Sequence, residues 1–133
     1  MITFDIDTDD VSPITFDEIT IEADTGTCGA GFDDDHISVI NLYRGMYPNG
    51  TLVDSETLNG SNPVDFDGFG EILVPASSTQ PMYVTVDLID DNTNIGDCIA
   101  ANITNIEAED DDNDDVSFSI FPTTCTPNVI NIV

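Results

Sequence analysis

The chain has 133 residues, enough for one domain with its own core, and 40% of them are hydrophobic, which excludes a disordered acidic tail. Its charge is extreme, because 27 Asp and Glu residues stand against one Arg and no Lys, for a formal net charge of -26. A polyanion gains no affinity from neutralising phosphates, so nucleic acid and anionic membrane surfaces are excluded as partners. The sequence has no long apolar run, so no membrane insertion is expected.

Apolar and polar residues alternate with period two along most of the chain, which predicts β-strands. Residues 1–13 are predicted to form a first strand, Ile2 to Asp7, and a linker, and residues 14–133 to form a β-sandwich domain. A terminal strand on a linker pairs either within its own domain or with a neighbouring subunit, whose sheet it then completes. The sequence leaves both possibilities open.

The second predicted strand changes phase along its length. Ile14 and Phe16 share one face of the strand, whereas Ile19 and Ile21 share the other, which predicts a β-bulge at residues 17–18. The predicted strands that follow Ile2 to Asp7 are Ile14 to Ala23, Ile37 to Arg44, Thr51 to Asp54, Glu71 to Val74, Met82 to Leu88, Cys98 to Ile106, Val116 to Ile120 and Val129 to Val133. About nine short strands separated by turn sequences predict an all-β sandwich of the immunoglobulin-like or jelly-roll kind.

The acidic stretch at residues 107–115 is predicted to be the loop of a hairpin. With residue 106 opposite residue 116 across that loop, Cys98 is opposite residue 124, one position from Cys125. We therefore predict a disulfide between these two cysteines at the open end of the hairpin. The alternative is that all three cysteines, Cys28 included, are free buried thiols.

Acidic residues cluster beside the predicted turns, where alternate spacing lets successive carboxylates surround one ion. Ca²⁺ prefers several hard oxygen ligands held in flexible loops, so calcium is the expected cofactor. The predicted metal ligands are Asp5, Asp7 and Asp9, then Asp65, Asp67 and Glu71, and finally Asp110, Asp112 and Asp114. The alternative is a halophilic surface that binds water and salt without discrete sites. No cluster completes the EF-hand pattern.

Nothing in the sequence predicts an enzyme. Carboxylate pairs are numerous but unaccompanied by a substrate-stacking Trp, and no nucleophile signature lies near His36. Three tyrosines, Tyr43, Tyr47 and Tyr83, are candidates for a sugar-binding face, although Tyr83 alternatively packs on a sheet. The Lys-free composition, rich in Asp, Asn and Thr, indicates an extracellular or cell-surface protein. Three glycosylation sequons, at Asn49, Asn59 and Asn102, point the same way.

Four segments carry a resemblance to known proteins. These are Ile-Ser-Val-Ile-Asn-Leu-Tyr at 37–43, Pro-Met-Tyr-Val-Thr-Val-Asp-Leu-Ile at 81–89, Asn-Ile-Gly-Asp at 94–97 and Ile-Ala-Ala-Asn-Ile-Thr at 99–104. Together they resemble a recurring pattern in β-sandwich modules of microbial extracellular surface, adhesion and filament-forming proteins. The resemblance implies a structural, non-catalytic role, and no functional residue is transferred from it.

The sequence thus predicts a non-enzymatic extracellular subunit of a surface filament, matrix or layer. It is expected to be a homo-oligomer or polymer formed by terminal-strand exchange and stabilised by divalent cations. The alternative is a carbohydrate-binding or adhesion module of a larger surface protein, with a polysaccharide as its partner.

Overall fold

A computed structural model describes residues 2–8, 12–24, 37–58, 62–89 and 100–118, and these ranges fold as β-strands without a helix. The strands are β1 (Ile2–Asp7), β2 (Ile14–Asp24), β3 (Ile37–Arg44), β4 (Thr51–Thr57), β5 (Val64–Phe66), β6 (Ile72–Val74), β7 (Thr79–Leu88) and β8 (Ala100–Asp110). The all-β prediction is confirmed. In the described ranges no helix is long and apolar enough to cross a membrane.

The first sheet, sheet A, has the strand order β1-β7-β3-β4, and every pair in it is antiparallel. The N-terminal strand β1 lies at one edge, where Ile2 is opposite Val84 and Asp7 is opposite Thr79. At the other edge lies β4, joined to β3 by the loop of residues 45–50. The central strands of the sheet are therefore β7 and β3.

The second sheet, sheet B, is built around the long strand β2. Along one side β2 pairs with β8, from Ile14 opposite Asp110 to Asp24 opposite Ala100. Along its other side it pairs with two short strands in turn, β6 and then β5. The register with β8 shifts between Phe16 and Glu18, so the β-bulge predicted at residues 17–18 is confirmed.

One hydrophobic core joins the inner faces of the two sheets. It includes Phe16 and Ile19 from sheet B and Leu42 and Met82 from sheet A, all of them at most 1% exposed. Burying one such side chain stabilises the fold by about 1.5–3 kcal/mol. Two four-stranded antiparallel sheets that share a core in this way form a β-sandwich-like arrangement.

The strand bounds agree with the sequence prediction at β1 and β3 and differ elsewhere. β4 continues to Thr57 instead of ending at Asp54, and β6 and β7 are shifted at their ends. The prediction missed β5 altogether, because three residues are too few to display a period. The predicted strand at 129–133 lies outside the described residues, as do all three cysteines and hence the predicted Cys98–Cys125 disulfide.

The loop predicted at residues 107–115 is shorter than predicted, because residues 107–110 belong to β8 and the turn follows them. β8 continues to Asp110, because Ile106 and the buried Ala108 pack against the core and hold the intervening glutamates in the strand. After a short turn, Asp115 forms an isolated bridge to Glu109, and the Val116 amide donates to the Ala108 carbonyl at 2.9 Å. Residues 116–118 belong to no strand, so the predicted strand does not begin at Val116, and position 116 pairs with 108 rather than 106.

Candidate functional site

The outer face of sheet B gathers carboxylates from three strands and their ends. Glu18 on β2 lies directly opposite Glu107 on β8, and Asp65 on β5 lies opposite Thr20, whose hydroxyl donates to it at 2.8 Å. Like charges placed directly opposite across two strands destabilise a sheet. We call this surface the acidic face, and its members are Asp17, Glu18, Asp65, Asp67, Glu107 and Glu109.

The carboxylates of the acidic face act on one another. Burial raises the pKa of Glu18 above its ordinary value of 4.5, and the negative charges around it raise it further. In order of decreasing effect these charges belong to Glu107, Asp65, Asp67 and Asp17. A cation that approaches this face therefore meets a concentrated negative potential.

A second acidic group lies where the edge strand β4 approaches sheet B. Asp54 accepts hydrogen bonds from the Ser55 amide at 2.8 Å and from the Gly68 amide at 3.0 Å. A Cβ at Gly68 would lie 3.2 Å from both Asp54 carboxylate oxygens, so glycine lets this turn approach closely. Burial raises the pKa of Glu56, as do the charges of Asp54 and Asp67.

Asp67 thus belongs to both acidic groups. Glu71, which was predicted to bind an ion together with Asp65 and Asp67, lies just before β6 and belongs to neither group. Across the parts of the chain that the structure describes, no three His, Cys, Asp or Glu side chains are arranged to hold a metal ion. Asp5 and Asp7 are exposed on β1, and Asp7 accepts a hydrogen bond from the Thr79 hydroxyl. Asp9 lies outside the described residues.

The turn after β8 uses one of its predicted ligands as a backbone cap. Asp110 accepts hydrogen bonds through one carboxylate oxygen from the amides of Asp112, at 2.9 Å, and Asp114, at 3.0 Å. Asn113 adopts the left-handed conformation, with φ of 61°, which asparagine tolerates better than most residues. The carboxylates of Asp112 and Asp114 are exposed to solvent.

The predicted sugar-binding tyrosines form one cluster on the outer face of sheet A. The Tyr43 and Tyr83 rings stack with centroids 4.6 Å apart, and the Tyr47 ring meets Tyr83 edge-on at 5.5 Å. Tyr83 is only 3% exposed, because the β3–β4 loop covers it. A Cβ at Gly50 would lie 2.5 Å from Tyr83 Cε1, so this cover requires glycine.

The end of this hairpin, residues 43–52, which we call the hairpin tip, has the opposite chemistry to the acidic face. It carries Arg44, the only Lys or Arg in the chain, whose Nε donates to Gln80 Oε1 at 2.9 Å. Three of its side chains are apolar and exposed: Met46 at 74%, Tyr47 at 56% and Leu52 at 50%. The sequence signal that we missed is the absence of any Asp or Glu from residues 37–53.

Two of the three glycosylation sequons fall in the described ranges. Asn49 is exposed in the hairpin tip, and Asn102 is exposed on β8. Asn59 lies outside these ranges.

Comparison of the chain with protein-family models, with curated proteins and with solved structures gives no match. What the chain does must therefore be inferred from its own residues and their geometry.

Proposed function

We propose that this chain is a non-enzymatic structural subunit of an extracellular filament, matrix or layer, linked to its neighbours by exchange of β1. The observation that carries the proposal is the position of β1. It is a terminal strand that pairs with β7 alone among the described strands and inserts Phe4 and Ile6 into the core. The same pairing with the β7 of a neighbouring chain would preserve every one of these contacts.

Terminal-strand exchange is a low-cost route to assembly, because each pairing broken within a chain is replaced by the same pairing between two chains. Beyond β1, the chain passes to β2 in the other sheet. In the described part of this connection, Thr8 donates through its amide and hydroxyl to the carbonyl of Ser78 and through its hydroxyl to the carbonyl of Pro75. The proposal assumes a sandwich of the immunoglobulin-like or jelly-roll kind, with Cys98 and Cys125 in a disulfide and glycans at the sequons.

Divalent cations are the proposed stabilisers of the assembly, and calcium is the cation that carboxylate-rich loops favour. Glu18, Glu107 and Asp65 repel one another on the acidic face, and Asp54, Glu56 and Asp67 do so at the edge of the sandwich. A bound cation relieves this repulsion within one chain and between chains. The exposed carboxylates of Asp112 and Asp114, with those of Asp5 and Asp7, supply further oxygen ligands.

The experiment is negative-stain microscopy and sedimentation of the purified full chain, with calcium or with a chelator at fixed ionic strength. We expect ordered assemblies in calcium that disperse in chelator. Deleting residues 1–12 should leave monomers, and adding a peptide of residues 1–12 should raise the melting temperature of the truncated chain by refilling the place beside β7. Assemblies that persist without residues 1–12 would refute strand exchange, and assemblies indifferent to chelator would refute the role of divalent cations.

A second candidate function, a carbohydrate-binding or adhesion module, is favoured by the exposed ring of Tyr47 beside Tyr43. Of the three tyrosines, Tyr83 is buried and takes no part in this surface. The same experiment separates the two functions, since an adhesion module should remain monomeric and be retained on a polysaccharide column.

A further inference from the structure

We propose that the hairpin tip docks head to tail onto the acidic face of a second copy of this chain. The inference rests on the proposed function, which requires subunits to meet, and it names a surface on each side of the contact. The partner is fixed by charge and by where the exposed apolar side chains lie.

Two copies that each carry a formal net charge of -26 repel one another over most of their surfaces. A contact between copies becomes attractive only where one side lacks carboxylates or carries a cation. The hairpin tip satisfies both conditions, because no acidic residue occurs in residues 37–53 and Arg44 is the only Lys or Arg in the chain.

Arg44 follows Tyr43 on β3, so its side chain leaves the hairpin tip on the side of the sheet opposite Tyr43 and Leu52. Its side chain is exposed, and the described contact of its guanidinium is a hydrogen bond to the neutral Gln80, at 2.9 Å, rather than to a carboxylate. The remaining N–H donors match a carboxylate on a partner, with which guanidinium forms paired hydrogen bonds.

The acidic face offers the complementary chemistry. Leu73 on β6 lies opposite Thr15 on β2, which on its other side lies opposite Glu109 on β8. Leu73 is 55% exposed between two buried neighbours, so it points outward beside the carboxylates. The next positions along β2 and β8 hold the facing pair of Glu18 and Glu107. In the proposed contact, Leu73 and the carboxylates of the acidic face therefore meet the exposed apolar side chains and the single Arg of the hairpin tip.

The exposed large apolar side chains of the described ranges support this pairing of surfaces. They number five, namely Met46, Tyr47, Leu52, Leu73 and Ile89. Three of them lie on the hairpin tip and one on the acidic face. Apolar anchors with one charged partner are typical of the centre of a protein interface.

The direction of the contact follows from the fold. The hairpin tip lies at one end of sheet A, whereas Leu73 and Glu107 lie on the outer face of sheet B, so the contact joins two different surfaces of the molecule. A contact between different surfaces of identical subunits cannot close into a two-fold dimer, and it repeats from subunit to subunit as an open filament or a closed ring.

Two variants of the full chain test the contact. Arg44→Glu reverses the charge of the hairpin tip, and Leu73→Lys places a cation on the acidic face. Each should raise the concentration for half-maximal assembly by about tenfold, because Arg44→Glu turns an attraction into a repulsion and Leu73→Lys sets a cation against Arg44 in place of an apolar contact. Ile89→Thr is the matched control, since Ile89 is 42% exposed just beyond the end of β7 and should assemble as wild type does.

Mixing the two variants gives the sharpest result. Each variant retains one intact surface, and in a mixture the new glutamate of one variant meets the new lysine of the other, so an equal mixture should assemble at a lower concentration than either variant alone. Polymers of Arg44→Glu equal to those of wild type would overturn the docking contact while leaving strand exchange and the proposed function in place. A mixture that assembles no better than either variant alone would overturn the head-to-tail arrangement, and a monomeric wild type would overturn the proposed function itself. Circular dichroism of each variant confirms that it is folded.

Discussion

The two sheets contribute alike to one core but present different outer surfaces to water. On sheet A, the cross-strand row through Tyr83, Tyr43 and Leu52 is uncharged, and the β3–β4 loop covers Tyr83. On sheet B, the corresponding surface carries Glu18 against Glu107 with further carboxylates nearby. The contrast teaches that acidity is not uniform over this protein. Among the described residues, carboxylates are most numerous on the outer face of sheet B, fewer on that of sheet A, where Asp5, Asp7 and Asp87 lie, and absent from the hairpin tip.

Disturbing the β3–β4 loop that covers Tyr83 gives the largest expected effect on stability. In Gly50→Ala the new Cβ would collide with the Tyr83 ring, which cannot withdraw because Tyr43 stacks against it. We expect the free energy of unfolding to fall by about 1–3 kcal/mol, as for other overpacked sites. Urea unfolding measures the loss, and near-ultraviolet circular dichroism reports the tyrosine rings.

A double-mutant cycle isolates the collision. Tyr83→Leu removes the ring, so Gly50→Ala should cost much less in that background than in wild type. Equal costs in both backgrounds would show that the loop does not rest on Tyr83, and the contrast between a covered and an open sheet face would fail.

The charge of the acidic face gives a smaller expected effect of opposite sign. Glu107→Gln removes one of two carboxylates that face each other, so it should stabilise the fold by about 0.5 kcal/mol at low salt. High salt should reduce this gain, because screening weakens the repulsion already present in wild type.

Glu22→Gln is the matched control for this substitution. Glu22 is exposed on the same sheet, but it lies opposite the neutral Asn102. It should therefore change the urea midpoint less than Glu107→Gln does. If the two substitutions stabilise equally, the effect reflects net charge alone and not the facing pair.

The pH dependence gives the smallest expected effect. The pKa values of Glu18 and Glu56 are raised above 4.5 in the folded chain, so the folded state binds their protons more tightly than the unfolded state. Their contribution to stability is therefore unfavourable at neutral pH, and it disappears as pH falls through the raised values towards 4.5. The melting temperature should rise over this interval and rise less in Glu18→Gln and Glu56→Gln. A melting temperature whose pH profile is the same in both variants as in wild type would contradict the crowding of these carboxylates.

Much of the fold could be predicted from the sequence because its signal is local. The alternation in β1 and β3 defined both strands, and the change of phase between Phe16 and Ile19 located the bulge. The pairing of strands that are distant in the sequence could not be predicted. Residues 107–110 look like a loop by composition, but they pair with β2 and Ala108 packs in the core, which places them in β8.

Part of the candidate site could likewise be predicted from the sequence, and part could not. Clusters adjacent in sequence, such as that at residues 110–114, could be predicted, and the turn there proved to be capped by Asp110. The facing of Glu18 and Glu107 depends on the register of β2 with β8, which the bulge itself alters. The spacing of residues along one strand does not predict that register. The sequence did not predict the hairpin tip as a surface, because a segment without acidic residues forms no cluster that would mark it.

The carboxylates of β4 have a consequence for how this protein avoids aggregation. Asp54 and Glu56 lie opposite the core residues Leu42 and Ile40, so they occupy the inner face of an edge strand. A foreign strand that added to this edge would have to bury both charges, which blocks the pairing that exposed edges otherwise invite. The opposite edge, where β1 lies, carries the apolar Phe4 and Ile6 on its inner face instead. Growth of sheet A by strand addition is thus restricted to the edge where β1 lies.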